Sequence, residues 1–228
     1  MKDIWRVITF VILMAAWPLA ANAQATFVHA KHMTYDIVYD YGHMAPAAVF
    51  WTLKASDFSG SVTTKPKYFK QDRFLPKPRL KNEQFTFMGY QRGHLCPSGD
   101  RDSRKDWYKD TFYTSNIVPM KPETNAGAWK ETETICRLLA TQGHQLRIVA
   151  GPIWCQTTAA SNTQLLPLIP DTLYKVATCI AHQDVLLCWM IPNSATPVKA
   201  INCQHDLEDI LAILPKDISY QVRLWINK

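Results

Sequence analysis

The stretch GYQRGHLCPSGDR, residues 89–101, sets Arg92 and His94 on either side of Gly93. A histidine titrating near neutrality is suited to taking a proton from water. A neighbouring arginine can neutralise a phosphate or the charge that builds on it. A lone histidine is more often structural than catalytic, so the pair calls for partners elsewhere in the chain. Those partners come from NAGAWKETE, residues 125–133. If this segment opens a helix over 125–141, a wheel advancing about 100° per residue puts Trp129, Cys136, Leu139 and Ala140 on one apolar stripe. Asn125 and Glu133 then fall within about 40° of Trp129, on the buried side, whereas Glu131 points to solvent. A carboxamide and a carboxylate facing a core are costly unless something polar or metallic meets them. A purely structural explanation makes Asn125 the helix N-cap and gives Glu133 a basic partner. The combination favours a site.

Elements must hold these groups in place. FTFMGYQRGHL reads as a strand ending in a turn, FYTSNIVPM (112–120) as a second strand, and the 125–141 segment as the helix that follows. On either side lie TYDIVYDYG, AAVFWTLKA, LRIVAGPIW, YKVATCIA, DVLLCWMIP and YQVRLWIN. Each is rich in β-branched or aromatic residues and bounded by turn formers, which predicts strands. A second helix is predicted over 202–213 from its apolar period near 3.6. The basic, proline-rich segment 63–84 reads as an extended surface loop. The expected fold class is α+β, a mostly antiparallel sheet with a strand, strand, helix unit carrying the polar residues.

Bulk properties narrow the setting. Lys2 and Arg6 precede or begin an apolar run from Val7 to Ala16, and Ala21-Asn22-Ala23 supplies a small-x-small end. This pattern predicts a signal peptide over 1–23 and an exported product, periplasmic or secreted. The run is short for a membrane anchor, and no later segment is apolar enough to span a bilayer. Subtracting the 23-residue leader from 228 leaves 205 residues, enough for one domain over 24–228. The formal charge drops from +6 to +5, because two basic residues and one acidic residue leave with the leader. That mild excess suits a polyanion without demanding one. The six cysteines (96, 136, 155, 179, 188, 203) all lie beyond the leader. Their even number predicts disulfides in an oxidising compartment, with Cys179 and Cys188 a plausible cross-strand pair around a turn at 181–184. Their spacing fits no zinc site. Cys96 reads as a bridge before it reads as a reactive thiol.

These blocks resemble the DNA/RNA non-specific endonucleases of the ββα-metal superfamily, whose signature is D-R-G-H. Here it reads Gln91-Arg92-Gly93-His94, followed by LCPSGD, FYTSNIVPM and NAGAWKETE. VAGPIW (149–154), IPDTLYKV (169–176) and WMIPN (189–193) are similar to the remaining core strands, so the resemblance runs over residues 35–213. It implies a metal-dependent endonuclease with His94 as general base and Asn125 as the single direct protein ligand of Mg²⁺, for which Mn²⁺ substitutes. Waters would fill the rest of the octahedron, as Mg²⁺ prefers. It also implies that Glu133 holds a metal-bound water, that Asn116 orients His94 or the site, and that Arg92 positions the loop or the phosphate. A further arginine comes from the preceding loop in this family. Arg73 is the candidate, with Lys70 and Arg79 as alternatives.

Gln91 departs from the pattern, keeping a carbonyl for a metal-bound water but lacking the aspartate charge. The expected substrates are DNA and RNA, held by phosphate contacts with little sequence preference. Two other readings stand beside this one: a nucleic-acid-binding homologue weakened in catalysis at Gln91, and a phosphodiesterase for small nucleotides. A Ser-His-Asp hydrolase is disfavoured because the chain has no G-x-S-x-G block.

Overall fold

The computed structural model describes residues 27–62, 64–86, 89–154, 166–181 and 186–228. The leader, Cys155 and most of the turn at 181–184 lie outside them. Six antiparallel strands form the main sheet: β1 (Phe27–Lys31), β2 (Asp36–Asp40), β3 (Ala45–Leu53), β6 (Leu146–Ile153), β7 (Thr172–Cys179) and β8 (Leu186–Pro192), in that spatial order. Between β3 and β6 the chain makes a separate two-stranded sheet. It consists of β4 (Gln91–His94) and β5 (Ile117–Met120), with helix α1 (Lys105–Asp110) in the connection. Helices α2 (Pro122–Ala126) and α3 (Ala128–Thr141) complete the strand, strand, helix unit. Helices α4 (Leu207–Ile213) and α5 (Lys216–Ile226) follow β8.

The sheet has two covered faces, and period-two alternation along each strand feeds both of them. Val49, Trp51 and Leu53 of β3 pack with Leu146, Ile148 and Ala150 of β6 and with Trp129, Cys136 and Ala140 of α3. Ala48 and Phe50 point the other way, toward Ile210, Ile218, Val222 and Ile226 of α4 and α5. Covering both faces explains why these strands read as nearly continuous apolar runs. The layer of β4, β5 and α3 is therefore bolted to one face through Leu95, Val118, Met120 and Trp129, all without solvent exposure. Burying side chains of this size contributes about 1.5–3 kcal/mol each.

The segment YQVRLWIN folds as the second half of α5 instead of a strand. Ile218, Val222 and Ile226 are buried while Tyr220 and Leu224 stay exposed. A four-residue spacing thus wins over the two-residue one that β propensity suggested. The 63–84 segment runs outside regular strands and helices until a short 3-10 turn at its end, as expected of a loop. It is nevertheless anchored: Asp72 is buried, accepts a bond from Ser115 Oγ, and lies 3.0 Å from His32 Nε2.

The predicted disulfides are a correction. Cys96, Cys136, Cys179, Cys188 and Cys203 are buried free thiols. Cys188 stands opposite Val176 in the β7–β8 ladder, and it packs on the face toward α4 and α5, whereas Cys179 packs on the α3 face. Side chains on opposite faces of a sheet cannot be joined without moving backbone.

Candidate active site

The motif strand is fixed from three directions. Residues Gln91 to His94 pair with Met120 back to Ile117. Gly93 makes room for a close neighbour, since a Cβ at that position would lie 2.2 Å from Met120 Sδ and force that side chain to move. Trp129 donates its indole N–H to the His94 carbonyl at 2.9 Å, which ties α3 to the end of the strand. Asn116 clamps the residues just beyond. Its carboxamide accepts from Cys96 N at 2.9 Å and donates to Cys96 O at 2.9 Å and Thr111 O at 3.0 Å. Asn116 therefore does not bond the imidazole; it holds the backbone two residues past His94. Those three bonds satisfy a fully buried amide. Cys96 between them is inert, its thiol pushed up to about 12 by burial.

His94 is half-buried, with its ring against Phe69 (5.1 Å between centroids) and edge-on to Phe112 (4.9 Å). Its Nε2 is shielded from solvent and has no hydrogen-bond partner. Burial, reinforced by the Lys65 charge, pushes its pKa down to about 3. The imidazole is consequently uncharged at neutral pH and carries a free lone pair. An anion beside Lys65 would offset only the smaller of these two causes.

Asn125 and Gln91 meet across the unit, Asn125 Nδ2 donating to Gln91 Oε1 at 2.7 Å. The bond commits the nitrogen of Asn125 and turns its amide oxygen into the available donor atom. The wheel that placed Asn125 assumed one continuous helix, and that assumption fails. Gly127 (φ −99°, ψ −117°) separates α2 from α3, and no side chain caps α3. Asn125 is thus neither an N-cap nor part of the α3 stripe. It reaches the motif because the break redirects α2, and the oxygen of Gln91 is spent on Asn125.

Glu133 sits on the partly buried flank of α3, with its side chain 16 % exposed. Arg137, one turn on, places Nη2 3.7 Å from its carboxylate, so the basic partner of the structural explanation exists. That arginine also donates to Asp100 Oδ1 at 2.8 Å, and the other oxygen of Asp100 accepts from Trp51 Nε1 at 3.1 Å. Burial raises Glu133 to about 7, with Lys175 and Arg137 pulling the other way. Lys175 is a fully buried cation on β7, 2.8 Å from Thr132 Oγ1 and 3.9 Å from the centre of the Trp129 ring. Sequence reasoning missed Asp100, Arg137 and Lys175. The first lay inside the quoted motif and the second at i+4 from Glu133. Lys175 gave no signal beyond a charge in an apolar strand.

Arg92 turns to the preceding segment, donating to Asn82 O at 3.2 Å and Thr86 Oγ1 at 3.1 Å. It positions that loop. Arg73, the expected arginine of the preceding loop, is exposed and stacks on Phe74 at 5.1 Å. Arg79 bonds Leu75 O at 2.5 Å. Lys70, the other alternative, lines a cleft with Lys65 and Phe112, and the Phe112 ring touches His94. The basic segment thus lines the cleft with Lys65 and Lys70.

The oxygen donors present, the Asn125 amide and the Glu133 carboxylate, fit a hard divalent cation such as Mg²⁺. Among the described residues no group of three or more His, Cys, Asp and Glu gathers as a metal cage.

A family model for DNA/RNA non-specific endonucleases matches residues 19–223. The chain is 31% identical over 194 residues to mitochondrial nuclease EXOG of Danio rerio, covering 78% of this chain and 54% of that protein. It is 32% identical over 176 residues to a nuclease of Nostoc sp., covering 76% and 62% respectively. The chain spans about half the length of the EXOG relatives it matches. A chain in the crystal structure of the EndoG/EndoGI complex shares the fold, with TM-score 0.71 at 22% identity over 82% of this chain and 83% of that one. Because the family model covers nearly the whole chain, the chain belongs to the DNA/RNA non-specific endonuclease family.

Proposed function

We propose that the chain is an exported, metal-dependent endonuclease that hydrolyses phosphodiester bonds of DNA and RNA with little sequence preference. The observation that carries the reading is the Asn125–Gln91 bond of 2.7 Å. It joins the helical half of the unit to the strand that ends in His94. In this reading His94 accepts a proton from the attacking water at Nδ1, the ring nitrogen other than the shielded Nε2, and Phe69 and Phe112 hold the ring and exclude bulk solvent. Asn125 would hold Mg²⁺, or Mn²⁺ in its place, through its amide oxygen, and Glu133 would assist through water. When bound, the cation supplies charge stabilisation at the phosphate and its leaving oxygen. Asn116 and Trp129 are positioning residues, acting through the backbone around His94. Arg92 holds the loop over Asn82, and Gln91 orients Asn125, its uncharged side chain giving weaker cation attraction than the family aspartate. Residues 1–23 act as the leader and 24–228 as one catalytic domain, released to the periplasm or beyond.

The test is digestion of supercoiled plasmid and of an RNA transcript with Mg²⁺, with Mn²⁺ and with EDTA, on wild type and His94→Ala. The reading expects cleavage that requires the cation and that His94→Ala slows by about 10²–10⁴-fold. Tight binding without cleavage in wild type favours the nucleic-acid-binding homologue. Activity confined to bis-p-nitrophenyl phosphate favours the small-nucleotide phosphodiesterase.

A further inference from the structure

The cleft beside His94 has a lining that the chemistry at His94, Asn125 and Glu133 does not use. One wall is the loop carrying Ser61, Thr64, Lys65 and Lys70; the other is α1, with Lys105 and Lys109 one turn apart. Its volume is about 490 Å³. Four of its lining residues are lysines and none is acidic. Among the described residues, none of those four ammonium groups takes part in an ion pair. Of the nearby carboxylates, Asp106 of α1 is exposed and outside the cleft lining, and two others are engaged elsewhere. Asp102 accepts from Ser59 N and Gly60 N, and Asp110 accepts from Met33 N and faces His32. A concave surface of one charge sign with unneutralised cations holds a strong local potential and attracts a polyanion.

The floor of the cleft includes Phe112, whose ring is edge-on to His94 at 4.9 Å. Lys65 is close enough to act on His94 electrostatically. The lip at Lys65–Lys70 also carries Tyr68, 56 % exposed, with Lys67 over its ring. Interleaved lysines and an exposed aromatic form the surface chemistry that tracks a single strand, through phosphate contacts and base stacking. On α1, Lys105 and Lys109 lie on one face because their spacing is i, i+4.

We infer that this cleft is the track for the sugar–phosphate backbone of one nucleic-acid strand, with Lys105 and Lys109 binding phosphates away from the scissile one. The inference rests on the nuclease reading for the direction of the strand, which enters along α1 and ends at His94.

The test uses the full chain in a His94→Ala background with Mg²⁺ present, so that the strand stays intact. Binding of a fluorescent oligodeoxythymidine of about 20 nucleotides, longer than a typical single-strand site, is measured from about 50 to 200 mM KCl. Each lost phosphate contact lowers the slope of log K against log salt by about 0.7 for a single strand. Lys105→Ala/Lys109→Ala is expected to lower it by up to about 1.4. Lys216→Ala/Lys228→Ala removes the same charge from the start of α5 and from the residue two past its end, on the far side of the sheet, and is expected to leave the slope unchanged. All four lysines are exposed, and unchanged unfolding midpoints verify that the variants fold. An unchanged slope in the α1 variant, or an equal loss in the α5 variant, overturns the track. If wild type fails to cleave in any metal but the α1 slope falls, the track stands and the nuclease reading falls.

Discussion

Replacing Gly127 by alanine should uncouple Asn125 from the motif strand, and the size of the effect follows from the junction between α2 and α3. A Cβ at Gly127 would lie 2.3 Å from the Glu123 carbonyl oxygen, a backbone atom of α2 itself. The contact must open beyond 3.0 Å, and no side chain can yield to allow it, so α2 must move by most of an ångström. Asn125 rides on α2 and reaches Gln91 through one hydrogen bond of 2.7 Å. A misplacement of about 1 Å in a catalytic constellation costs on the order of 10²-fold in rate. Overpacking costs about 1–3 kcal/mol, which for a domain of this size lowers Tm by about 2–12 °C. The assay is initial-rate plasmid relaxation at saturating Mg²⁺, well below the variant's Tm, beside a thermal melt. Gly99→Ala is the milder comparison, because its Cβ would meet the end of the Arg137 side chain at 3.3 Å and no backbone, and it should cost less than Gly127→Ala in both readouts. If Gly127→Ala relaxes plasmid at the wild-type rate per folded molecule, the junction does not position Asn125 and the geometric argument for the site is wrong.

Asn125→Ala should reduce cleavage by lowering metal occupancy, so that raising Mg²⁺ or Mn²⁺ partly restores the rate. A Mg²⁺ titration that leaves the defect unchanged would remove Asn125 as the ligand. Asn116→Ala deletes three hydrogen bonds inside a fully buried site and leaves Cys96 and Thr111 groups unpaired. Denaturant unfolding should show a loss of roughly 2–5 kcal/mol at about 1 kcal/mol per bond plus desolvation. The pH dependence of stability carries opposing signatures. His94 is depressed from 6.5 to about 3, so the unfolded chain takes up the proton first and stability falls as pH drops from 6.5. Glu133 is raised from 4.5 to about 7, so its contribution is lost as pH climbs through that window. His94→Gln should therefore lose less stability than wild type on acidification below 6.5, measured by melts across the range. Thiol titration of the denatured, unreduced protein should report at least the five free cysteines described.

The central strands of the main sheet and the order of the strand, strand, helix unit were legible in the sequence, although the unit's two strands are shorter than expected, at 91–94 and 117–120. Those features are written in local alternation, turn formers and short motifs. Cys179 and Cys188 were misjudged for a reason local pattern cannot supply: parity along β7 and β8 put them on opposite faces of the sheet. YQVRLWIN was misjudged because its β propensity is local, while the burial of Ile218, Val222 and Ile226 against the sheet is not.

For the site, the sequence alone determined which groups exist: an imidazole, an amide, a carboxylate and a surplus of lysines. Tertiary structure decided what each of them faces. The break at Gly127 aims Asn125 at Gln91, the fold of the proline-rich segment brings Lys65 and Lys70 to the cleft, and β7 carries Lys175 close enough to act on the Glu133 carboxyl. The physical reason is that electrostatic and hydrogen-bonding partners are set by distances across the fold, between residues 34 to 43 apart in the chain for Asn125–Gln91 and Lys175–Thr132, where sequence periodicity carries no information.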